Sequence, residues 1–268
     1  GWESPEGGAG TWWQVNVGDP EVVGVNGQWY MFVQVQIDAG KPIDLPGQIA
    51  ATWADRIMLL TSSTAAKPWT RLTSRGVVIN ITNPTRTALH HHEVIHVPWD
   101  STGKPWWLYV AVHIDDQFQG IWRIRSSDPT TFDWNARQLC IGIAGIGNQI
   151  GYLEEVPGGP VFVRISSAYD QTGRIVPSLQ FSRDGINWTW GNGGPTLLDG
   201  SHDNNLNKNC YFLGISTING TGKMDHVGGL TWKACYGATT CNSPVAPEIF
   251  NSEIGVGELL ITVGDNFS

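Results

Sequence analysis

Basic residues are scarce in this chain: lysine and arginine together number 16 of 268 residues, against 24 aspartates and glutamates, and the formal charge is −8. No Lys/Arg cluster stands anywhere along it, which excludes binding to nucleic acid or to an anionic membrane by charge, because such contacts need basic side chains to neutralise phosphates. A neutral partner fits better. Long hydrophobic runs are missing too: none approaches the roughly 20 residues of a membrane span, and the chain opens without a charged-then-apolar leader. It reads as a mature, soluble, exported chain, extracellular or periplasmic and expected to be a monomer. Cysteine is limited to four residues, Cys140, Cys210, Cys235 and Cys241, without the paired C-x-x-C spacing of a zinc site. Cys235 and Cys241 flank a short Gly/Thr loop and would bridge each other, leaving Cys140 for Cys210, an even count that fits an oxidising compartment.

What the chain does have in quantity is glycine, 33 residues, and tryptophan, 14 residues. That composition suits many short strands joined by turns, with no long helices. The strands repeat. Asp19-Pro-Glu-Val-Val-Gly-Val25 turns at Asn26-Gly27 and continues as the aromatic and β-branched run from Trp29 to Val35, a hairpin signature. Variants follow at His92–Val97 with Trp106–Val112, at Leu153–Val156 with Val161–Ile165, and at Pro247–Phe250 with Leu259–Thr262. A repeat running through nearly the whole chain predicts one all-β domain over residues 1–268, with a flexible segment at 1–10.

A third strand follows each of the first three hairpins and ends in a polar turn ahead of a tryptophan: Thr61-Ser-Ser63 before Trp69, Ser126-Ser-Asp-Pro129 before Trp134, and Ser182-Arg-Asp-Gly185 before Trp188. The Ser or Asp oxygen can accept backbone N–H groups of the turn, Gly185 can supply a positive φ, and the tryptophan can fold back as a plug. The spacing of these tryptophans allows one four-stranded antiparallel sheet per interval. Over the whole length that gives five blades around a central channel, a five-bladed β-propeller. Residues 11–17 are then the strand that completes the last blade, a closure that removes exposed sheet edges.

The Asp19-Pro20 start, the Trp-Tyr-Met-Phe hairpin and the Ser-x-Asp turns resemble the five-bladed β-propeller glycosidases, the arabinanase, xylosidase, arabinofuranosidase and invertase group. The resemblance implies three carboxylates around the channel end: an Asp base in the first blade, an Asp modulator in the second and a Glu acid in the third. Inverting hydrolysis needs one carboxylate to activate water and a carboxylic acid about 6.5–9.5 Å away to protonate the leaving oxygen. Asp19 matches the base position. Aligned by sequence, Glu21, Glu93, Glu154 and Glu248 fall at one repeat position, and a residue type recurring there is architectural, accepting hydrogen bonds from a neighbouring strand. The Asp19 position varies, becoming His91, Tyr152 and Ala246. The remaining carboxylates for catalysis would come from Glu93, Glu154 or Glu155.

Two further groups stand out. In His90-His-His-Glu-Val-Ile-His96, strict strand alternation puts His90, His92 and His96 on one face and His91 and Glu93 on the other. His92 would contact sugar, or His90 and His92 would hold a channel metal ion such as calcium; the hydrolytic chemistry itself requires no cofactor. Trp53, Trp99, Trp106 and Trp190 lie at strand or loop ends and would offer indole platforms to the flat C–H faces of sugars. The leading reading is a glycoside hydrolase acting on a plant- or algal-type oligosaccharide or polysaccharide. One alternative is a polysaccharide lyase moving protons through His91 and Tyr152, with Arg56, Arg123, Arg125 or Arg164 meeting a uronate. The other is a carbohydrate-binding propeller without chemistry.

Overall fold

A computed structural model describes residues 16–37, 54–66, 68–71, 78–79, 87–115, 117–143, 146–169, 175–191, 209–215, 217–229, 231–239 and 257–262. Its long elements are all β-strands, and the described residues hold no α-helix. No helix among them is long and apolar enough to cross a membrane. The chain divides into two compact units, Gly1–Leu139 with Asn219–Thr221, and Cys140–Ile218 with Gly222–Ser268.

The first unit holds two four-stranded antiparallel meanders. One is β1 (Asn16–Val25), β2 (Gln28–Ile37), β3 (Ala54–Ser62) and β4 (Thr70–Arg71); the other is β5 (Thr87–His96), β6 (Trp106–Ile114), β7 (Gln117–Ser126) and β8 (Gln138–Leu139). The β1–β2 hairpin closes with Val25 opposite Gln28, and both loop residues are left-handed, Asn26 at φ 52° and Gly27 at φ 78°. Asn-Gly takes that two-residue turn because its twist matches that of the strands. Residues 106–112 of β6 are all buried, so this strand has no solvent face, as its unbroken apolar run demands. Val23, Phe32, Ile57, Leu59, Leu89, Leu108, Val110 and Phe132 fill one core cluster, where each large side chain contributes about 1.5–3 kcal/mol by leaving water.

The second unit also holds two sheets. In β9 (Ile146–Leu153), β10 (Val161–Tyr169), β11 (Ile175–Ser182) and β12 (Thr189–Trp190) the meander repeats. The other contains β13 (Asn209–Ile215), β14 (His226–Gly228), β15 (Thr231–Thr239) and β16 (Gly257–Thr262), with β15 pairing all three others.

The polar turns form as the sequence predicts. Ser62 Oγ accepts the Thr64 N–H, Ser126 Oγ accepts that of Asp128, and Ser182 Oγ accepts that of Gly185, whose φ is 70°. Asp184 Oδ1 accepts the N–H groups of Ile186 and Asn187, both at 2.8 Å. Trp134 and Trp188 are buried and Trp69 is half-buried.

Three expectations need correction. Asn16 and Val17 belong to β1, opposite Gln36 and Val35, and so do not close another sheet; residues 11–15 lie outside the described residues. Leu259–Thr262, placed by the sequence reading in a last hairpin apart from Gly229–Trp232, joins the sheet of that segment by pairing with Thr231–Ala234 of β15; its expected partner Pro247–Phe250 lies outside the described residues. Cys140 is a buried thiol with Sγ 3.9 Å from the Gly185 carbonyl oxygen, so its bridge to Cys210 is not formed. The Cys210 and Cys235 side chains and all of Cys241 lie outside the described residues.

Candidate functional site

The site is built on a bulge that recurs. In β1, Gly18 pairs with Gln34 and Glu21 with Phe32, so Asp19 and Pro20 together oppose Val33. In β5, His90 pairs with Ala111 and Glu93 with Tyr109, so His91 and His92 together oppose Val110. Asp19 and His91 are both left-handed, at φ 46° each, and both are exposed. Asp and His tolerate that conformation better than most residues. A bulge re-aims side chains locally; here His91 is exposed and His92 buried.

Asp19 and His91 act on each other electrostatically. Partial burial lowers the His91 pKa, and the Asp19 carboxylate offsets part of that fall, while His90 adds to it. His92 is pushed down to about 4 by burial; the backbone of Phe32 and the charge of Asp19 oppose the shift, and His91 reinforces it. Neither His92 ring nitrogen meets a partner at hydrogen-bonding geometry. His90 Nδ1 lies 3.2 Å from Gln34 Nε2, and its ring stands edge-on to His113 with centroids 4.9 Å apart. Gln34 escaped sequence reasoning, although a glutamine inside the apolar run Trp-Tyr-Met-Phe-Val-Gln-Val was its signal.

His90 Nδ1 is engaged by Gln34, His92 is buried in β5, and among the described residues no group of three or more His, Cys, Asp or Glu side chains could hold an ion.

Glu21 behaves architecturally: its Oε2 accepts the Val94 N–H at 2.6 Å, tying β1 to β5. Its carboxyl is held well above the usual range by burial, by the charge of Glu93 and by a hydrogen bond with the Glu93 side chain, against the opposing Val94 N–H. Glu21 and Glu93 thus stand within hydrogen-bonding reach of each other directly beside the two bulges.

Within the second unit, register revises the sequence alignment. Gln149 pairs with Ile165, and Ile146 with Ser167, so Gly147 and Asn148 oppose Ser166 in the pattern seen at Asp19-Pro20 and His91-His92. Gly147-Asn148-Gln149 is therefore the counterpart of Asp19-Pro20-Glu21, and Glu154 is not. Glu154 and Glu155 follow the Leu153–Val161 pair in the hairpin loop, where Glu155 is left-handed at φ 62°. Glu154 is ion-paired with Lys223 Nζ, and Glu155 Oε2 lies 3.4 Å from His226 Nδ1. Tyr152 is buried, its backbone N–H donating to the Gly222 carbonyl and its own carbonyl accepting from the Met224 N–H.

The tryptophan platforms divide. Trp106 is buried, edge-on to Tyr30 and His96 at centroid distances of 5.1 and 5.0 Å. Trp99 is exposed and Trp190 half-buried opposite Gln180; Trp53 and Glu248 lie outside the described residues. Arg123 is buried with its guanidinium 4.3 Å from the Trp107 ring centre, Arg125 pairs with Asp100 at 3.3 Å, and Arg164 donates to Ser166 Oγ and Gln180 Oε1. The Arg56 side chain lies outside the described residues.

No family model matches the sequence, and no curated protein does. Solved structures do. An α-L-arabinofuranosidase from Lactobacillus brevis aligns over 94% of this chain and 75% of its own at TM-score 0.57 and 12% identity. A glycoside hydrolase aligns over 97% and 74% at TM-score 0.56 and 14% identity, and a GH62 hydrolase in complex with xylotriose over 91% and 89% at TM-score 0.50 and 10% identity. The likeness, one of fold, is to the five-bladed β-propeller glycosidases that the sequence resembles.

Proposed function

We propose that the chain is a five-bladed β-propeller that takes a neutral plant- or algal-type oligosaccharide or polysaccharide at the mouth of its channel and cleaves it as a glycoside hydrolase, outside the cell or in the periplasm. The observation that carries this reading is the exposed carboxylate of Asp19, held left-handed on a bulge whose counterpart in the next sheet presents His91. The solved structures of like fold, an arabinofuranosidase and a hydrolase bound to xylotriose, favour arabinose- or xylose-containing substrates. In this mechanism Asp19 takes a proton from water, the water oxygen attacks the anomeric carbon, and the glycosidic C–O bond breaks as a carboxylic acid protonates the leaving oxygen. We assign that acid to Glu93, on the second bulged strand beside Glu21, ahead of Glu154 and Glu155, which are engaged with Lys223 and His226.

One observation favours a second reading, a carbohydrate-binding propeller without chemistry: the third sheet carries Gly147-Asn148-Gln149 at the register of Asp19-Pro20-Glu21, where the resemblance implies an acid. The lyase reading has less support, since Arg123 and Arg164 are buried in their sheets, Arg125 is paired with Asp100, and Tyr152 is buried.

Release of reducing sugar from arabino- and xylo-oligosaccharides decides between the readings. Wild-type protein should release sugar, and Asp19→Asn should lower the rate by about 10²-fold or more, the usual loss of a general base, without unfolding. Binding without turnover by the wild type would establish the non-catalytic reading instead.

A further inference from the structure

The second sheet carries a feature that the other two meanders lack. In the β6–β7 pairing His113 sits opposite Phe118, whereas Val112 sits opposite Gly120, so Gln119 is an extra residue. The corresponding pairings β2–β3 and β10–β11 run without a shift. Gly120 is at φ 106°, a conformation that side chains rarely adopt, and a Cβ there would lie 2.7 Å from Leu139 Cδ1. The backbone is thus committed to this bulge. Its effect is to leave Phe118 56% exposed between two exposed glutamines, Gln117 and Gln119.

A single exposed phenylalanine is ordinary, but Phe118 ends a row. Its ring lies 5.3 Å from that of His113, His113 lies 4.9 Å from His90, and His90 lies 6.3 Å from His91, which responds to the charge of Asp19. Gln34 Nε2 lies 3.2 Å from His90 Nδ1 behind the row. The row therefore combines one phenyl ring with imidazoles that can donate or accept hydrogen bonds, and the amide-bearing residues Gln117 and Gln119 flank its outer end. That mixture suits the apolar C–H faces and hydroxyl edges of a sugar chain better than it suits an apolar protein surface.

We propose that Phe118, with His113 and His90 behind it, forms a subsite for a sugar unit of a neutral oligosaccharide whose neighbouring units reach Asp19 and His91. The proposal rests on the functional reading above and adds a length requirement: the ligand must be an oligosaccharide, because the rings of His113, His90 and His91 come between Phe118 and Asp19 in this succession of contacts.

Calorimetric titration of the full chain with xylo- and arabino-oligosaccharides of increasing length tests it. Wild-type affinity should rise with chain length, and Phe118→Ala should remove about tenfold of that rise, the worth of roughly one aromatic contact. Phe118→Trp should keep it, and the short ligands should bind all three proteins alike. Retention of the full length dependence by Phe118→Ala overturns the subsite and leaves the functional reading standing. Failure of the wild type to bind any of these sugars overturns both. Because Phe118 is exposed, its variants should melt with the wild type, and a loss of affinity accompanied by unfolding at the assay temperature would count against the subsite.

Discussion

The Glu21 carboxylate on β1 accepts the backbone N–H of Val94 on β5 at 2.6 Å, joining two sheets across 73 residues of sequence. The carboxyl is also raised well above its ordinary value of 4.5, by burial first and then by Glu93. The native state therefore holds a proton that the unfolded chain releases, and the sign follows by linkage: this group's stabilisation is full below about pH 4.5 and is lost as pH rises through the elevated native value. Thermal unfolding midpoints should fall on going from pH 5 to 8 in the wild type. Glu21→Gln, which can still accept from Val94 and donate to Glu93, should flatten that dependence. A variant whose midpoint tracks the wild type at every pH would show that the pair shares no proton.

Asp184 behaves in the opposite sense. Burial alone would raise it, but the N–H groups of Asn187 and Ile186, with Asn187 Nδ2 and Ser182 Oγ, hold its carboxyl at about 2. Its stabilisation is present above the unfolded value near 3.8 and lost as pH falls through about 2. Asp184→Ala should cost about 1 kcal/mol at pH 7, a figure kept low by the partial exposure of the turn. The gap from wild type in chemical denaturation should narrow toward pH 2; a gap that stays constant would assign the loss to the backbone instead.

Much of the fold was legible in the sequence because its carriers are local. Asn26-Gly27 dictates its own turn, the apolar run 106–112 can only be a doubly buried strand, and Ser182-Arg-Asp-Gly185 closes on itself. Pairing register was not local. Glu154 matches Glu21 and Glu93 by neighbouring residues, yet it lies beyond the last pair of its hairpin, Leu153 with Val161, and the residue that follows the bulge in that strand is Gln149, five residues before Glu154. Bulges are invisible to a period-of-two reading, so the extra residue at Gln119 could not be read from the sequence. Asp19 stands out in the sequence by its unlikeness to its repeat-mates; Gln34 and Lys223 act through partners distant in sequence, 56 and 69 residues away.

Cys140 gives a direct chemical check on the second unit. As a buried thiol against the Gly185 carbonyl, beside an Arg164 that burial pushes down to about 9 and the Cys140 sulfur partly restores, it should resist alkylation in the native protein. In denaturant without reductant it should then be modified completely, as read by mass spectrometry of its peptide. A Cys140 peptide that is modified only after reduction would restore the bridge.

The relationship between Asp19 and His91 can be measured without any substrate. Burial lowers the His91 pKa, and Asp19 raises it by favouring the imidazolium. Asp19→Asn removes that charge and keeps the side chain's shape, so the His91 midpoint should move to lower pH in an imidazole NMR titration. His92 should move the same way from a value already near 4, since Asp19 opposes its shift too. His96, whose lowered value is caused by burial alone, should stay where it is and serves as the internal control. Movement of His91 with His96 fixed would show that the two bulges bring an acid and an imidazole to one place, the arrangement on which the hydrolase reading depends. If His91 titrates identically in both proteins, Asp19 does not face it, and the pairing of the two bulges as one site is wrong however well the fold agrees.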